Sequence, residues 1–145
     1  MPHVSITRLH LRRKLFVVPF MFASMGVTRQ LQRSPGFLAG MTAYEKGFCF
    51  WTCSIWRDAA AMKAFRNAGN HMKAMKKLLT WCDEASYGNW EQADATPPDL
   101  AEIHRKMLEL GKVSKVKFPS QAHEQGRLAS DLVPAGARPI TPKAA

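Results

Sequence analysis

Phe48-Cys49-Phe50-Trp51-Thr52-Cys53-Ser54-Ile55-Trp56 is the stretch whose reading decides the fold. It is apolar on nearly both alternating faces, which marks a central β-strand covered on both sides. Phe50, Thr52, Ser54 and Trp56 take one face, and Cys49, Trp51, Cys53 and Ile55 take the other. The face with two hydroxyls among aromatics suits a ligand cavity, with apolar walls and few polar groups. Upstream, Glu45-Lys46-Gly47 reads as a hairpin turn into a preceding strand from Phe37 to Tyr44.

Working outward, residues 3–12 alternate and carry β-branched side chains, so they read as a first strand. Arg12-Arg13-Lys14 followed by Leu15 to Ala23 imitates a secretory signal, but a strand-like segment precedes it. The amphipathic alternative fits better. Phe16, Phe20, Ala23, Val27 and Leu31 fall at three- or four-residue steps, and Pro19 is tolerable only in a first turn. A helix over about 17–33 is expected. Asp58 reads as a cap for a helix over 59–67, Gly69 interrupts, and a second stretch runs from about Asn70 to Trp81. Residues 84–91 read as a fourth strand, and Asp99 caps a helix reaching Leu110.

The order is β-α-β-β-α-β, the ferredoxin-like split arrangement, in an α+β antiparallel sheet with an appended helix. Residues 1–110 form the domain. Residues 111–145 form a Pro-rich tail that wraps the surface or is disordered. Helices on one face leave the other face of four strands apolar and bare. A monomer cannot keep such a face in water. A homodimer with a cavity on the sheet face is therefore expected.

Composition narrows the function classes. The 145 residues are 46% hydrophobic and 22% charged, which excludes global disorder and fits one domain. No apolar run is long enough to span a membrane. Three cysteines exclude a disulfide framework. Cys49 and Cys53 share a strand face roughly 13 Å apart, too far for a bridge or a shared metal. Cys82 is left as a candidate reactive thiol. No phosphate loop or dinucleotide fingerprint occurs. A cytoplasmic protein is expected.

The formal charge is +10, and the first forty residues hold six Lys and Arg and no acid. Such a field attracts anions. No helix-turn-helix, zinc-finger or RNA-sheet signature accompanies it, so nucleic acid is not an expected partner; a membrane is not expected either, because no apolar run is long enough to span one. Asp83 and Glu84 are neighbours on extended backbone and point opposite ways, so they are no catalytic carboxylate pair; one of them is placed to receive a cation from the basic half.

Thr7-Arg8-Leu9, Ser34-Pro35-Gly36-Phe37-Leu38, Trp56, and Ala61-Met62-Lys63-Ala64-Phe65 followed by His71 resemble the dimeric α+β barrel superfamily. That superfamily includes antibiotic-biosynthesis-type and haem-degrading monooxygenases. The stretch from Phe65 to Met75, with Trp81 to Ser86 after it, resembles more closely an uncharacterised bacterial branch related to spheroidene monooxygenase. The resemblance covers roughly residues 3–92. It implies a monooxygenase-like oxidoreductase that binds a small hydrophobic or aromatic molecule and needs no cofactor. Haem-degrading members carry an Asn, a Trp and a ligating His at three positions where this chain has Thr7, Phe65 and Met75. His71 lies one helical turn before Met75, so haem held by His71 is the alternative implied. A third reading is a non-catalytic module whose basic half docks an acidic partner.

The candidate site follows. His71 is the acid or base, because an imidazole moves protons near neutral pH; the competing reading is a surface or capping histidine. Arg66 lies near it and can hold an oxyanion with a fork that lysine lacks; the competing reading is a solvated arginine. Thr7, Phe50, Ser54, Trp56, Phe65 and Met75 are the residues expected to shape the substrate pocket, a dimer core being the plain alternative.

Overall fold

Cys49–Trp56 forms strand β3, and Cys49, Trp51, Cys53, Ile55 and Trp56 are all buried on it. Its neighbours are β1 (His3–Leu11) and β2 (Phe37–Glu45), both antiparallel to it. β4 (Cys82–Glu91) pairs with the far side of β1. The four strands thus stand in the order β4-β1-β3-β2, the ferredoxin-like arrangement. Gly47 adopts φ +99° in the turn between β2 and β3, a conformation that favours glycine. The computed structural model describes residues 1–144.

The helices begin where the capping residues dictate. A single turn, Lys14–Phe16, leads into α1 (Val17–Gln32), with Pro19 in its first turn. Asp58 Oδ1 accepts from the Ala61 amide at 2.8 Å and starts α2 (Ala59–Arg66). α3 (Gly69–Trp81) follows after a break. Asp99 likewise accepts from the Glu102 amide at 2.8 Å to start α4 (Leu100–Leu110). α1, α2 and α3 cover one face of the sheet. No helix among the described residues is long and apolar enough to cross a membrane.

The opposite face corrects the sequence reading. It was expected to be bare and to require a second copy of the chain. Instead Ile103 and Met107 of α4 pack onto Val4, Ile6, Trp51, Cys53 and Ile55, joined by Leu128 and Ala129 of the tail. Leu100, Ile103 and Met107 fall at the three- and four-residue steps of a helix stripe, which supplies the missing cover. The hydrophobic argument for a homodimer is therefore met within one chain.

The tail is also more ordered than its composition suggests. Lys112–Val113 forms β5 along the edge of β4, and Ala135–Ile140 forms β6 along β2, with the short α5 (Gln121–Glu124) between them. The sheet has six strands rather than four, in the order β5-β4-β1-β3-β2-β6. Pro139 is tolerated because β6 is an edge strand. The tail also ties the helices down. The Lys117 amide donates to the Leu79 carbonyl and the Lys143 amide to the Gln32 carbonyl, each at 2.8 Å.

A buried charge network fastens the tail to the sheet. Arg8 on β1 donates to both oxygens of Glu45, from Nε at 3.1 Å and from Nη2 at 3.0 Å. Its Nη1 donates to Glu84 Oε1 at 3.0 Å. Arg127 of the tail donates to the same carboxylate at 2.9 Å, and Ser120 donates to its other oxygen at 3.2 Å. Ser130 Oγ and Trp51 Nε1 complete Glu45, at 2.9 and 3.0 Å. Two guanidiniums thus balance two carboxylates, and a pair this buried holds only when its remaining lone pairs are satisfied. Burial opposes the Arg8 charge, but its bonds to Glu45 and Glu84 outweigh that and hold it protonated well above the usual range. Burial alone would raise the Glu84 carboxyl; hydrogen bonds from Arg127 and Arg8 instead hold it down to about 2. The expected receipt of a cation by Asp83 or Glu84 is met at Glu84, while Asp83 bonds His10.

The depressed Glu84 value sets a pH dependence. Its contribution is fully present above the ordinary carboxyl value of about 4.5 and is lost as pH falls toward about 2. Urea unfolding across that window should show a loss on the order of 3 kcal/mol attributable to this group. Glu84→Gln should flatten that part of the profile. An unchanged slope in the variant would mean that Glu84 does not carry it.

Candidate functional site

A cavity of about 1110 Å³ lies between the sheet and the layer formed by α1, α2 and α3. The sequence explains the gap. The sheet positions turned toward the helices include Ser5 and Thr7 on β1, Thr42 on β2, and Thr52 and Ser54 on β3. These side chains are too short to span the space between packed layers. The other face carries Val4, Ile6, Met41, Trp51 and Ile55 and is filled. The helices contribute the apolar part of the wall: Phe20, Val27 and Leu31 from α1, Phe65 from α2, and Met75 and Leu78 from α3. Aromatic pairs brace it. Phe20 packs tilted against Phe50 at 4.8 Å, and Phe65 packs against Trp56 at 5.2 Å and against His71 at 4.8 Å.

Of the expected residues, Thr7, Phe50, Ser54, Phe65, Met75, Arg66 and His71 all line this one cavity. Trp56 does not. It is fully buried behind Phe65 and donates from Nε1 to Ser54 Oγ at 2.9 Å, so it braces the wall rather than forming it. The expected location is also refined: the cavity lies on the helix side of the sheet, within one chain, and not in a chamber between two sheets. Tyr87 and Asn89 on β4 and Arg138 and Lys143 on the tail line it as well, and the sequence reading missed them. The alternation of Ala85, Tyr87 and Asn89 along β4 was a usable signal for the first two. Nothing local marks the tail residues.

His71 is held by both ends of its local backbone. Its amide donates to Gln30 Oε1 of α1 at 2.8 Å. Its Nδ1 lies 3.0 Å from the Arg66 carbonyl, and a carbonyl only accepts, so Nδ1 carries the hydrogen. In the neutral ring Nε2 then keeps its lone pair, and no group among the described residues hydrogen-bonds to it. Burial lowers the His71 pKa first; the bond to the Arg66 carbonyl resists, and the Arg66 charge adds to the lowering. The ring is thus an unprotonated base at neutral pH. Arg66 has no carboxylate partner among the described residues, its side chain reaching only Asn67 Oδ1 at 3.5 Å.

Other candidates lose their chemistry on inspection. Cys82, read as a possible reactive thiol, is buried, and burial followed by the charge of Asp83 pushes it up to about 12. Burial likewise pushes Cys53 up to about 12. Both behave as small hydrophobes. His10, Asp83 and Glu84 bring ligand atoms within 4.8 Å of one another. Two guanidiniums already occupy the Glu84 carboxylate, which opposes a further cation there.

The fold matches solved structures over two thirds of the chain. SnoaB, a cofactor-independent oxygenase from Streptomyces nogalater, superposes with TM-score 0.54 at 13% identity, covering 67% of this chain and 98% of its own. A putative antibiotic biosynthesis monooxygenase from Nitrosomonas europaea gives 0.59 at 13% identity, covering 66% and 94%. Rv0793 from Mycobacterium tuberculosis gives 0.59 at 10% identity, covering 67% and 100%. The chain therefore has the ferredoxin-like α+β fold of antibiotic-biosynthesis-monooxygenase-like proteins. About a third of the chain lies outside each of these matches. No family model matches the sequence, and no curated protein does.

The lowered His71 value is directly measurable. Following the ring resonances against pH by NMR should give a midpoint below the usual value of about 6.5. The Nδ1-protonated tautomer should dominate above that midpoint. A midpoint above the usual value would contradict the burial described here.

Proposed function

We propose that the protein binds a small hydrophobic or aromatic molecule between its sheet and helices and oxidises it in a monooxygenase-like reaction, with His71 as the base and Arg66 holding the oxyanion. The observation that carries this reading is the meeting of an unprotonated Nε2 and an unpaired guanidinium on the wall of one apolar cavity. Proton removal from an acidic C–H or O–H by His71 creates an enolate or phenolate. Arg66 stabilises the oxygen that takes the charge, and the apolar wall around it strengthens that attraction. An electron-rich anion of this kind reacts with dioxygen without a cofactor. A methylene becomes a carbonyl, one oxygen atom enters the product, and the other leaves as water with the two hydrogens. SnoaB, which shares the fold, is described as cofactor-independent, and this is consistent with the proposal.

The second reading is haem ligation by His71. A ring whose Nδ1–H is fixed by a backbone carbonyl presents Nε2 in the manner of metal-ligating histidines. Bound there, haem would supply oxygen chemistry that the protein side chains lack. Against it, Thr7, Phe65 and Met75 stand where haem-degrading relatives of this fold carry their functional residues.

Oxygen uptake with an enolisable aromatic ketone, whose acidic C–H and apolar body suit the cavity, tests the first reading. His71→Ala should lower kcat/KM by about two to four orders of magnitude, and Arg66→Ala by at least about tenfold. An unchanged kcat/KM in His71→Ala would remove His71 from the mechanism. A Soret band on adding hemin, lost in His71→Ala, would favour the second reading instead.

A further inference from the structure

The outer side of the helical layer has a composition that neither the cavity nor the fold explains. On α1 and the turn before it, Leu15, Val18, Phe22 and Met25 are 58%, 63%, 71% and 50% exposed. They recur at steps of three and four, so they form one stripe along the helix turned away from the sheet. α3 packs beside α1: Asn70 Nδ2 donates to the Gly26 carbonyl at 3.2 Å, and Gln30 bridges to Ala68 and His71. Its exposed side carries Lys73, Lys76 and Lys77. Arg13, Lys14 and Arg29 are exposed at the two ends of the apolar stripe. Residues 12–33 and 59–81, which make up the whole helical layer, contain no Asp or Glu. The acids of the α4 face, such as Asp94, Glu102 and Glu109, lie beyond the sheet on the other side of the molecule.

We propose that this layer is a docking surface for an anionic lipid bilayer, with α1 lying flat in the interface. An exposed apolar stripe flanked by Lys and Arg is the physical requirement for that mode of binding. The apolar side chains enter the headgroup boundary, and the lysines meet the negative surface potential. Setting a membrane aside because nothing spans it does not touch this case, since an interfacial helix needs no span. Charge decides against a second copy as the occupant. An isologous contact would press one carboxylate-free cationic layer against another. Nucleic acid would use the cations but leave Val18 and Phe22 in water. The cavity opens beside this surface, because Met21 and Met25 of α1 are exposed and also line it.

Flotation with vesicles of phosphatidylcholine, with and without phosphatidylserine, tests the proposal on the full chain. The protein should float with the phosphatidylserine vesicles, and added salt should weaken this. Lys73→Glu/Lys76→Glu/Lys77→Glu should lower the partition coefficient at least about tenfold, and Val18→Ser/Phe22→Ser should do the same. Both sets change exposed side chains; if the second fails to fold, the lysine set decides alone. Binding indifferent to phosphatidylserine, or retained in the lysine set, would overturn the proposal. So would a chain that sediments as a dimer and becomes a monomer in Val18→Ser/Phe22→Ser, since the second copy would then be the occupant.

Discussion

Arg8 is the constraint around which the rest of the molecule is arranged. It is a charged side chain on a central strand, fully buried on the face that carries Val4, Ile6, Trp51 and Ile55. A guanidinium in that position is costly unless every donor is used and its charge is matched. Glu84 from the adjacent β4 and Glu45 from β2, reaching across β3, match it, but together they overbalance it by one negative charge. Arg127 restores neutrality, and Ser120 and Ser130 take up remaining carboxylate lone pairs. All three lie in the last third of the chain. The sheet therefore requires its tail, and the tail has a fixed place on the sheet.

That arrangement assigns different work to the two faces. The face bearing Arg8 is closed by α4 and the tail and filled with large side chains. The face turned to α1, α2 and α3 carries short hydroxyl side chains and stays open inside. Tail segments return to this second face at both sheet edges, through the bonds from Lys117 to Leu79 and from Lys143 to Gln32. The cavity is thus framed by the helices above, the hydroxyl face below and the tail at the sides. A neutral His71 and an unpaired Arg66 on its wall are the groups able to move a proton and hold the resulting charge. The basic, carboxylate-free exterior of the same helices faces away from all of this.

Much of this was legible in the residues, and the limits have physical causes. β3 announced itself by alternation, and α2 and α4 by Asp58 and Asp99, because caps and periods are local. His71 and Arg66 could be paired in advance because they lie only five positions apart across one helix break. The hydroxyls of β3 suggested a cavity and they line one, but on which side of the sheet it lay depended on where α4 packed. Leu100, Ile103 and Met107 carried that information as a helical stripe, read only as an appended helix. The Arg8 network joins residues up to 76 positions apart for Glu84 and 85 apart between Glu45 and Ser130. No period or motif encodes such a pairing. Trp56, taken for a wall residue because it shares a face with Phe50 and Ser54, turned out to be covered by Phe65.

Amide hydrogen exchange on the wild-type chain and on Arg8→Gln tests the central claim most directly. Ser114, Lys117 and Ser120 each donate a backbone hydrogen bond to β4 or α3, to Ala85, Leu79 and Asp83 respectively. The account predicts slow exchange at these three amides in the wild type and fast exchange in the variant, with α1 and β3 still protected. Fast exchange there in the wild type, or protection unchanged by the loss of the guanidinium, would contradict it.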